Sequence, residues 1–272
     1  MTDQDCVRFL QWALPRLRMR WPGFRKVRRQ VCKHIDRRLK TLGLADVEAY
    51  RRHLLAHPEE WSRLDALCRI TISRFCRDRG LFQCLERQVL PVLGQNALAR
   101  GDRRLHAWSA GCAGGEEPYT LAILWRLGLR PRLPDLTLHI LATDADDRML
   151  ERARRACYQF SSMKELPPAW CRQAFVRSDD EFCLKAAFRS LVSFEQQDIR
   201  HQMPQGKFDL ILCRNLVFTY FDTALQQQIL EKIGRVIRPG GALVLGKHER
   251  LPAAAAGWSP WFEHNAIYRH DE

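Results

Sequence analysis

Trp108-Ser109-Ala110-Gly111-Cys112-Ala113-Gly114-Gly115-Glu116-Glu117-Pro118-Tyr119 is the stretch whose reading decides the rest. The apolar run Leu105 to Ala110 has the composition of a buried strand, and three glycines then break it. From Glu116 to Leu127, the residues Tyr119, Ile123, Leu124 and Leu127 fall on one helical face. Strand, glycine turn and helix predict a nucleotide-binding corner: the glycines allow positive φ and close backbone approach, and the helix start offers free N–H groups. The corner lacks the Lys-Ser/Thr of a phosphate loop and the full dinucleotide fingerprint, and Glu116 and Glu117 stand where a pyrophosphate would sit. Carboxylates there suit a cation, so S-adenosylmethionine, with its sulfonium and α-ammonium, fits better than NAD or ATP. A structural turn with a helix-capping acid is the plain alternative.

Downstream of the corner, strands alternate with helices, which predicts a mostly parallel α/β sheet with right-handed crossovers. Leu136 to Thr143 reads as a second strand ending in Asp144, placed to hydrogen-bond the ribose of an adenosine cofactor or to cap the following helix. Residues 158–190 interrupt the alternation and read as an inserted hairpin or small subdomain. Leu191 to Phe194 resumes the sheet and leads to Asp198, a candidate for the adenine amino group. Phe208 to Cys213 is a near-continuous buried strand, Thr223 to Ile237 a long helix, and Trp258 to Tyr268 supplies the last, antiparallel strands.

Upstream, the first hundred residues read as helices. Phe24, Val27, Val31, Ile35, Leu39 and Leu42 form one apolar stripe, the other faces are basic, and Gly43 is placed to stop the helix. Residues 1–50 carry twelve Lys/Arg against five Asp/Glu, a large part of the net charge of +13, and this predicts an acidic partner. The basic helix has no interleaved aromatics for base stacking, so no nucleic acid is expected. Ile70 to Asp78, with its hydroxyls and arginines, reads as helix or loop. With 46% hydrophobic and 28% charged residues, an acidic start and no apolar run of membrane-spanning length, the chain is expected to be globular, cytoplasmic and monomeric. Ten cysteines without any C-x-x-C pair argue against a metal site and are expected to be buried reduced thiols.

Gly111 to Tyr119, Ala142-Thr143-Asp144-Ala145-Asp146, Phe208-Asp209-Leu210-Ile211-Leu212-Cys213-Arg214-Asn215 and Arg238-Pro239-Gly240-Gly241 follow one another in an order and spacing that resembles the CheR family of chemotaxis receptor methyltransferases. The family's own runs are G-C-S-T-G-E-E-P-Y, A-T-D-I-D, F-D-x-I-x-C-R-N and K-P-G-G. The resemblance covers nearly the whole chain. It implies a Rossmann-like class I methyltransferase sheet, a basic helical N-terminal domain over 1–98, and a methyltransferase domain over 99–272 with the insertion at 158–190.

It further implies S-adenosylmethionine bound by Ala110, Glu116, Asp144, Asp198, Ile199, Asn215 and Leu216, with S-adenosylhomocysteine as product. The family's T-N-x-T-x-F-F-R falls on Ile70 to Arg77, so Thr71, Ser73 and Arg77 are expected at the active site as further cofactor-binding residues, with Arg77 and Tyr220, the equivalent of the family's active-site tyrosine, as the catalytic pair. Three places depart from the pattern: Thr71 and Cys76 replace an asparagine and an aromatic, the segment Asn215 to Phe221 is one residue longer, and Gly246-Lys247-His248-Glu249 replaces a Gly-His-Ser-Glu type of run.

A glutamate acceptor, with a pKa of ~4.3, is ionised at neutral pH, so Arg77 need only hold it and no base or metal is required. An amine or hydroxyl acceptor would make His248 or Tyr220 a candidate base, and a thiol acceptor could react as the thiolate. The leading expectation is protein-glutamate O-methylation of an acidic, chemoreceptor-like helical protein docked on the basic helix. The alternatives are a small-molecule or unrelated protein acceptor, and a cofactor-sensing or docking module without turnover.

Overall fold

In the computed structural model, which describes residues 2–252, 255–262 and 266–271, the run before the glycines forms strand β1 (Arg104–Ala110). β2 (Thr137–Asp144) lies parallel to it. The remaining strands are β3 (Cys157–Tyr158), β4 (Phe175–Ser178), β5 (Glu181–Leu184), β6 (Val192–Gln196), β7 (Phe208–Leu212), β8 (Ile237–Val244), β9 (Trp258–Pro260) and β10 (Ile267–His270). Seven of them make one sheet in the order β6-β2-β1-β7-β8-β10-β9. The first five of that order run parallel, and β10 and β9 are antiparallel, as the sequence predicts. The order reverses direction between β1 and β7, so the loops after these two strands open at a topological switch point, where α/β sheets bind ligands.

Contacts divide the chain into two units: residues up to Ile70 together with Leu216–Gln226, and Thr71–Asn215 together with the residues from Gln227 on. This division differs from the 98/99 boundary expected from the sequence. The helical run Arg79–Ala99 belongs with the sheet because Leu81, Phe82, Leu85, Leu90 and Leu93 share a buried core with Leu105, Ala107, Leu138, Leu210 and Trp125. Helical content and unit membership are separate properties, and only the second depends on what the apolar face meets.

The insertion folds as a three-stranded antiparallel sheet, β3-β5-β4, over a core that includes Phe75, Tyr119, Tyr158, Met163 and Phe175. Here the cysteine expectation needs correction. Cys157 faces Cys183 across β3 and β5 and is bonded to it, and Cys6 is bonded to Cys32. Six cysteines are free: Cys68, Cys76, Cys84, Cys112, Cys171 and Cys213. The partners are 26 residues apart in each pair, a separation that carries no local sign of contact in the sequence.

In the other unit, helices Asp3–Ala13, Arg28–Leu42, Val47–Ala56 and Glu60–Leu67 enclose Phe9, Leu10, Val31, Ile35, Tyr50 and Leu64. The basic helix starts at Arg28 and not at Phe24, because Phe24 ends a separate turn, Trp21–Phe24, that Pro22 opens. Its end is as expected: Gly43 takes φ 66° and closes the helix. No helix among the described residues is long and apolar enough to cross a membrane.

Candidate functional site

The corner is tied to β2 by backbone. The amides of Gly111 and Cys112 both donate to the Thr143 carbonyl, at 2.8 and 3.0 Å, so Ala110 and Thr143 end side by side. One oxygen of Asp144 accepts the Ala113 amide at 2.8 Å and the other accepts the Asp146 amide at 2.9 Å, which fixes the carboxylate at the strand end. Asp144 is therefore not the helix cap. Asp146 caps the helix Asp147–Arg155 by accepting from the Arg148 amide.

The glycines serve the chain's own packing as well as the turn. Gly115 has φ 88°, and a β-carbon there would come within 2.9 Å of Ala153 and 3.1 Å of the Tyr158 hydroxyl. That hydroxyl donates to the Gly114 carbonyl at 2.7 Å. Glu116 opens the next helix fully buried; one oxygen accepts from Arg152 at 2.7 Å and the other has no hydrogen-bond partner. Burial raises its pKa, against Arg152 and the Ser73 hydroxyl, which both favour the carboxylate. Ser73 is thus near enough to Glu116 to favour its carboxylate, and Thr71, two residues earlier, is half-buried like it.

Arg77 sits between two residues in the left-handed region, Cys76 at φ 53° and Asp78 at φ 64°. Three bonds hold this strained turn. The Phe75 amide donates to the Ser162 carbonyl at 3.0 Å, the Cys76 amide donates to the Thr120 hydroxyl at 3.0 Å, and Arg214 donates to the Arg77 carbonyl at 2.9 Å. The Arg214 side chain is buried and also reaches Asp78 at 2.6 Å and Glu117 at 3.0 Å. Glu117 accepts in turn from Ser109. Sequence reasoning missed Arg214 and Glu117 as site residues, although both lie inside quoted motifs; a charged residue next to a buried strand was the available signal. The Arg77 guanidinium itself makes one hydrogen bond, to the Ile72 carbonyl at 3.1 Å, and no ion pair among the described residues.

At the far side of the sheet opening, Arg200 holds Asp198 through a bidentate pair of 2.6 and 3.0 Å and through its amide. Burial would raise the Asp198 pKa, but the Arg200 hydrogen bonds outweigh it and the net shift is downward. Ile199 is buried beside it. Asn215 follows β7 with φ 54°, and its amide donates to Glu249 at 2.7 Å. The same buried oxygen of Glu249 accepts the Gly246 amide at 2.6 Å. In the departing Gly246-Lys247-His248-Glu249 run, the glutamate therefore anchors the Asn215 loop, whereas His248 is exposed.

Leu216 and Tyr220 belong to the helical unit. Tyr220 ends the short helix Val217–Tyr220, half-buried, with its ring 5.0 Å from that of Phe24. On the basic helix of the same unit, Arg28 pairs with Asp3 and Arg38 with Glu60, so these two are structural. Arg25, Lys26, Arg29, Lys33 and Arg37 remain exposed.

The residues at the sheet opening fit an amino-acid sulfonium cofactor. They offer the Asp144 carboxylate at the strand end and a buried Glu116 oxygen lacking a partner beside the glycine turn, an acceptor-rich set suited to a cation. The profile described as CheR methyltransferase, SAM binding domain, matches residues 71–265. A probable chemotaxis protein methyltransferase of Rhizobium etli is 32% identical over 232 residues, covering 83% of this chain and 85% of that one. The chemotaxis protein methyltransferase of Listeria innocua is 36% identical over 68% of each chain. That of Salmonella typhimurium is 32% identical over 82% of this chain and 76% of its own. With a profile match across most of its length and relatives of this similarity and coverage, the chain belongs to the CheR methyltransferase family and is an S-adenosylmethionine-dependent methyltransferase.

Proposed function

We propose that the chain methylates side-chain carboxylates, glutamate above all, on an acidic helical protein of the chemoreceptor type, in the cytoplasm. The observation that carries this is Arg77: a guanidinium without a carboxylate partner among the described residues, on a turn that Arg214, Thr120 and Ser162 hold in a strained conformation. An arginine presented this way suits bidentate capture of a carboxylate. Bound S-adenosylmethionine supplies a methyl group on a sulfonium, which leaves as the neutral thioether of S-adenosylhomocysteine. The chain's work is to align and desolvate: Arg77 holds the acceptor carboxylate, whose oxygen forms the new bond to carbon, and Tyr220 donates a positioning hydrogen bond. No proton has to move at neutral pH. Asp144 binds the ribose, Asp198 and Ile199 the adenine, and Ala110, Glu116, Thr71, Ser73, Asn215 and Leu216 the remainder of the cofactor. The exposed cations Arg25, Lys26, Arg29, Lys33 and Arg37 dock the acidic partner.

The departure at Cys76 does not speak for a different acceptor. Its side chain is buried among Phe75, Tyr158 and Leu166, so the missing aromatic alters a core contact.

Tritiated S-adenosylmethionine, incubated with the protein and receptor-rich bacterial membranes, should leave label that mild alkali releases as methanol. Label that survives alkali would place the methyl on nitrogen or sulfur and sink the carboxylate reading. Arg77→Ala should bind the cofactor within a few-fold of wild type and lose transfer by about a hundredfold; full turnover in that variant would remove Arg77 from the acceptor clamp.

A further inference from the structure

The helix that carries Tyr220 is a single turn, Val217–Tyr220, too short to hold its own geometry. The N–H groups of a one-turn helix cannot reach its last carbonyls. Residues 18–24 of the same unit supply what is missing. The Arg20 guanidinium donates to the Phe218 carbonyl and to the Thr219 carbonyl, the latter at 3.2 Å, while its amide donates to the Tyr220 carbonyl at 2.9 Å. The Asp222 amide donates to the Arg18 carbonyl at 2.9 Å, and Met19 and Phe221 form an antiparallel bridge. Gly23 lies so close that a β-carbon would run into the Thr219 carbonyl oxygen and come within 3.3 Å of the Tyr220 α-carbon. Phe24, itself buried, packs its ring against that of Tyr220.

We infer that Arg20, seconded by Gly23 and Phe24, is a positioning residue for Tyr220: it caps the one-turn helix and so sets where the Tyr220 hydroxyl points. The cap is charge-assisted and half-buried, and it accounts for three consecutive carbonyls, 218 to 220, through one residue. An arginine that served only the core of the unit would have no reason to reach these carbonyls. The consequence for catalysis rests on the proposed role of Tyr220; the positioning itself does not.

The test uses the full chain with its five tyrosines replaced by 3-fluorotyrosine. The fluorine resonance of Tyr220 is assigned by its loss in Tyr220→Phe, and that of Tyr50, buried in the same unit, serves as the reference for intact folding. In Arg20→Ala the Tyr220 resonance should move or broaden while the Tyr50 resonance stays. Methyl transfer to receptor-rich membranes should fall by about a hundredfold at unchanged cofactor affinity. In a Tyr220→Phe background the same substitution should cost nothing further, and Arg20→Lys should restore part of the loss. Gly23→Ala, which displaces the turn from the other side, should perturb the same resonance. An unmoved Tyr220 resonance, a Tyr50 resonance that moves with it, or an equal loss in both backgrounds overturns the proposal. Full turnover in Tyr220→Phe alone would refute the catalytic role of that tyrosine and leave the resonance result to judge the positioning.

Discussion

Asp144 and Arg214 show the two ways a candidate site residue stands in a sequence. Asp144 was readable because its place follows from pattern: an acid at the carboxyl end of the second strand of a parallel sheet lies next to the glycine corner whatever the rest of the chain does. With both oxygens taken by backbone amides, Asp144→Asn cannot keep both bonds. It should weaken S-adenosylmethionine binding by about ten- to a hundredfold, the loss of ~1.5–3 kcal/mol that goes with a charged hydrogen bond, as measured by calorimetric titration. The meeting of Arg214 with Arg77, Asp78 and Glu117 was not readable, because they are separated by roughly a hundred residues or more and meet only when β7 lies beside β1. Cys76 is a third case. Although it neighbours Arg77, burial pushes its thiol up to about 12, the nearby Arg79 notwithstanding, so it stays protonated. Iodoacetamide at neutral pH should leave Cys76 unmodified in the folded chain, which peptide mapping by mass spectrometry would check.

Among the elements, the inserted sheet and the basic helix were both visible in outline and both altered in substance. The break in the alternation over 158–190 announced an inserted hairpin or small subdomain; the third strand, β3, has only two residues and exists because β5 is there to pair with it. The bond between Cys157 and Cys183 is likewise a product of that register. In air the purified chain should show six free thiols, rising to ten after reduction, and each bond should contribute about 3 kcal/mol through the 26-residue loop it closes. Alkylation in a reducing compartment should trap all ten as thiols, because such a compartment keeps pairs of this kind reduced. Thiol counting by mass spectrometry separates the two states. On the basic helix, periodicity gave the apolar face correctly, with Val31, Ile35 and Leu39 buried. It could not say that Arg38 would turn inward to Glu60, since the face between buried and exposed is decided by what packs there.

At the scale of the whole molecule the helical unit has its own polar keystone, in which Glu60 accepts from Arg38 at 2.6 Å and from the Tyr50 hydroxyl at 2.8 Å. The Arg38 hydrogen bond lowers the Glu60 pKa, and burial opposes it without winning. A folded pKa below the unfolded value of 4.5 means that the stabilisation is complete above that pH and is lost as pH falls through the lowered folded value. Glu60→Gln should therefore cost stability at neutral pH, up to about 3 kcal/mol, with the gap to wild type in thermal melts closing as the pH falls through the lowered folded value. The sequence by itself determined the order of elements, the parallel sheet with its antiparallel end, the glycine corner with Asp144 beside it, and the family, because each of these is written in local period or in contiguous motifs. The tertiary structure alone decided that residues 71–99 belong with the sheet, that Leu216–Gln226 leaves it for the helical unit, which cysteines pair, and how Arg214 and Arg20 each brace a turn in their own unit. These are contacts between residues far apart in the chain, and their partners are chosen by packing, which no local pattern encodes.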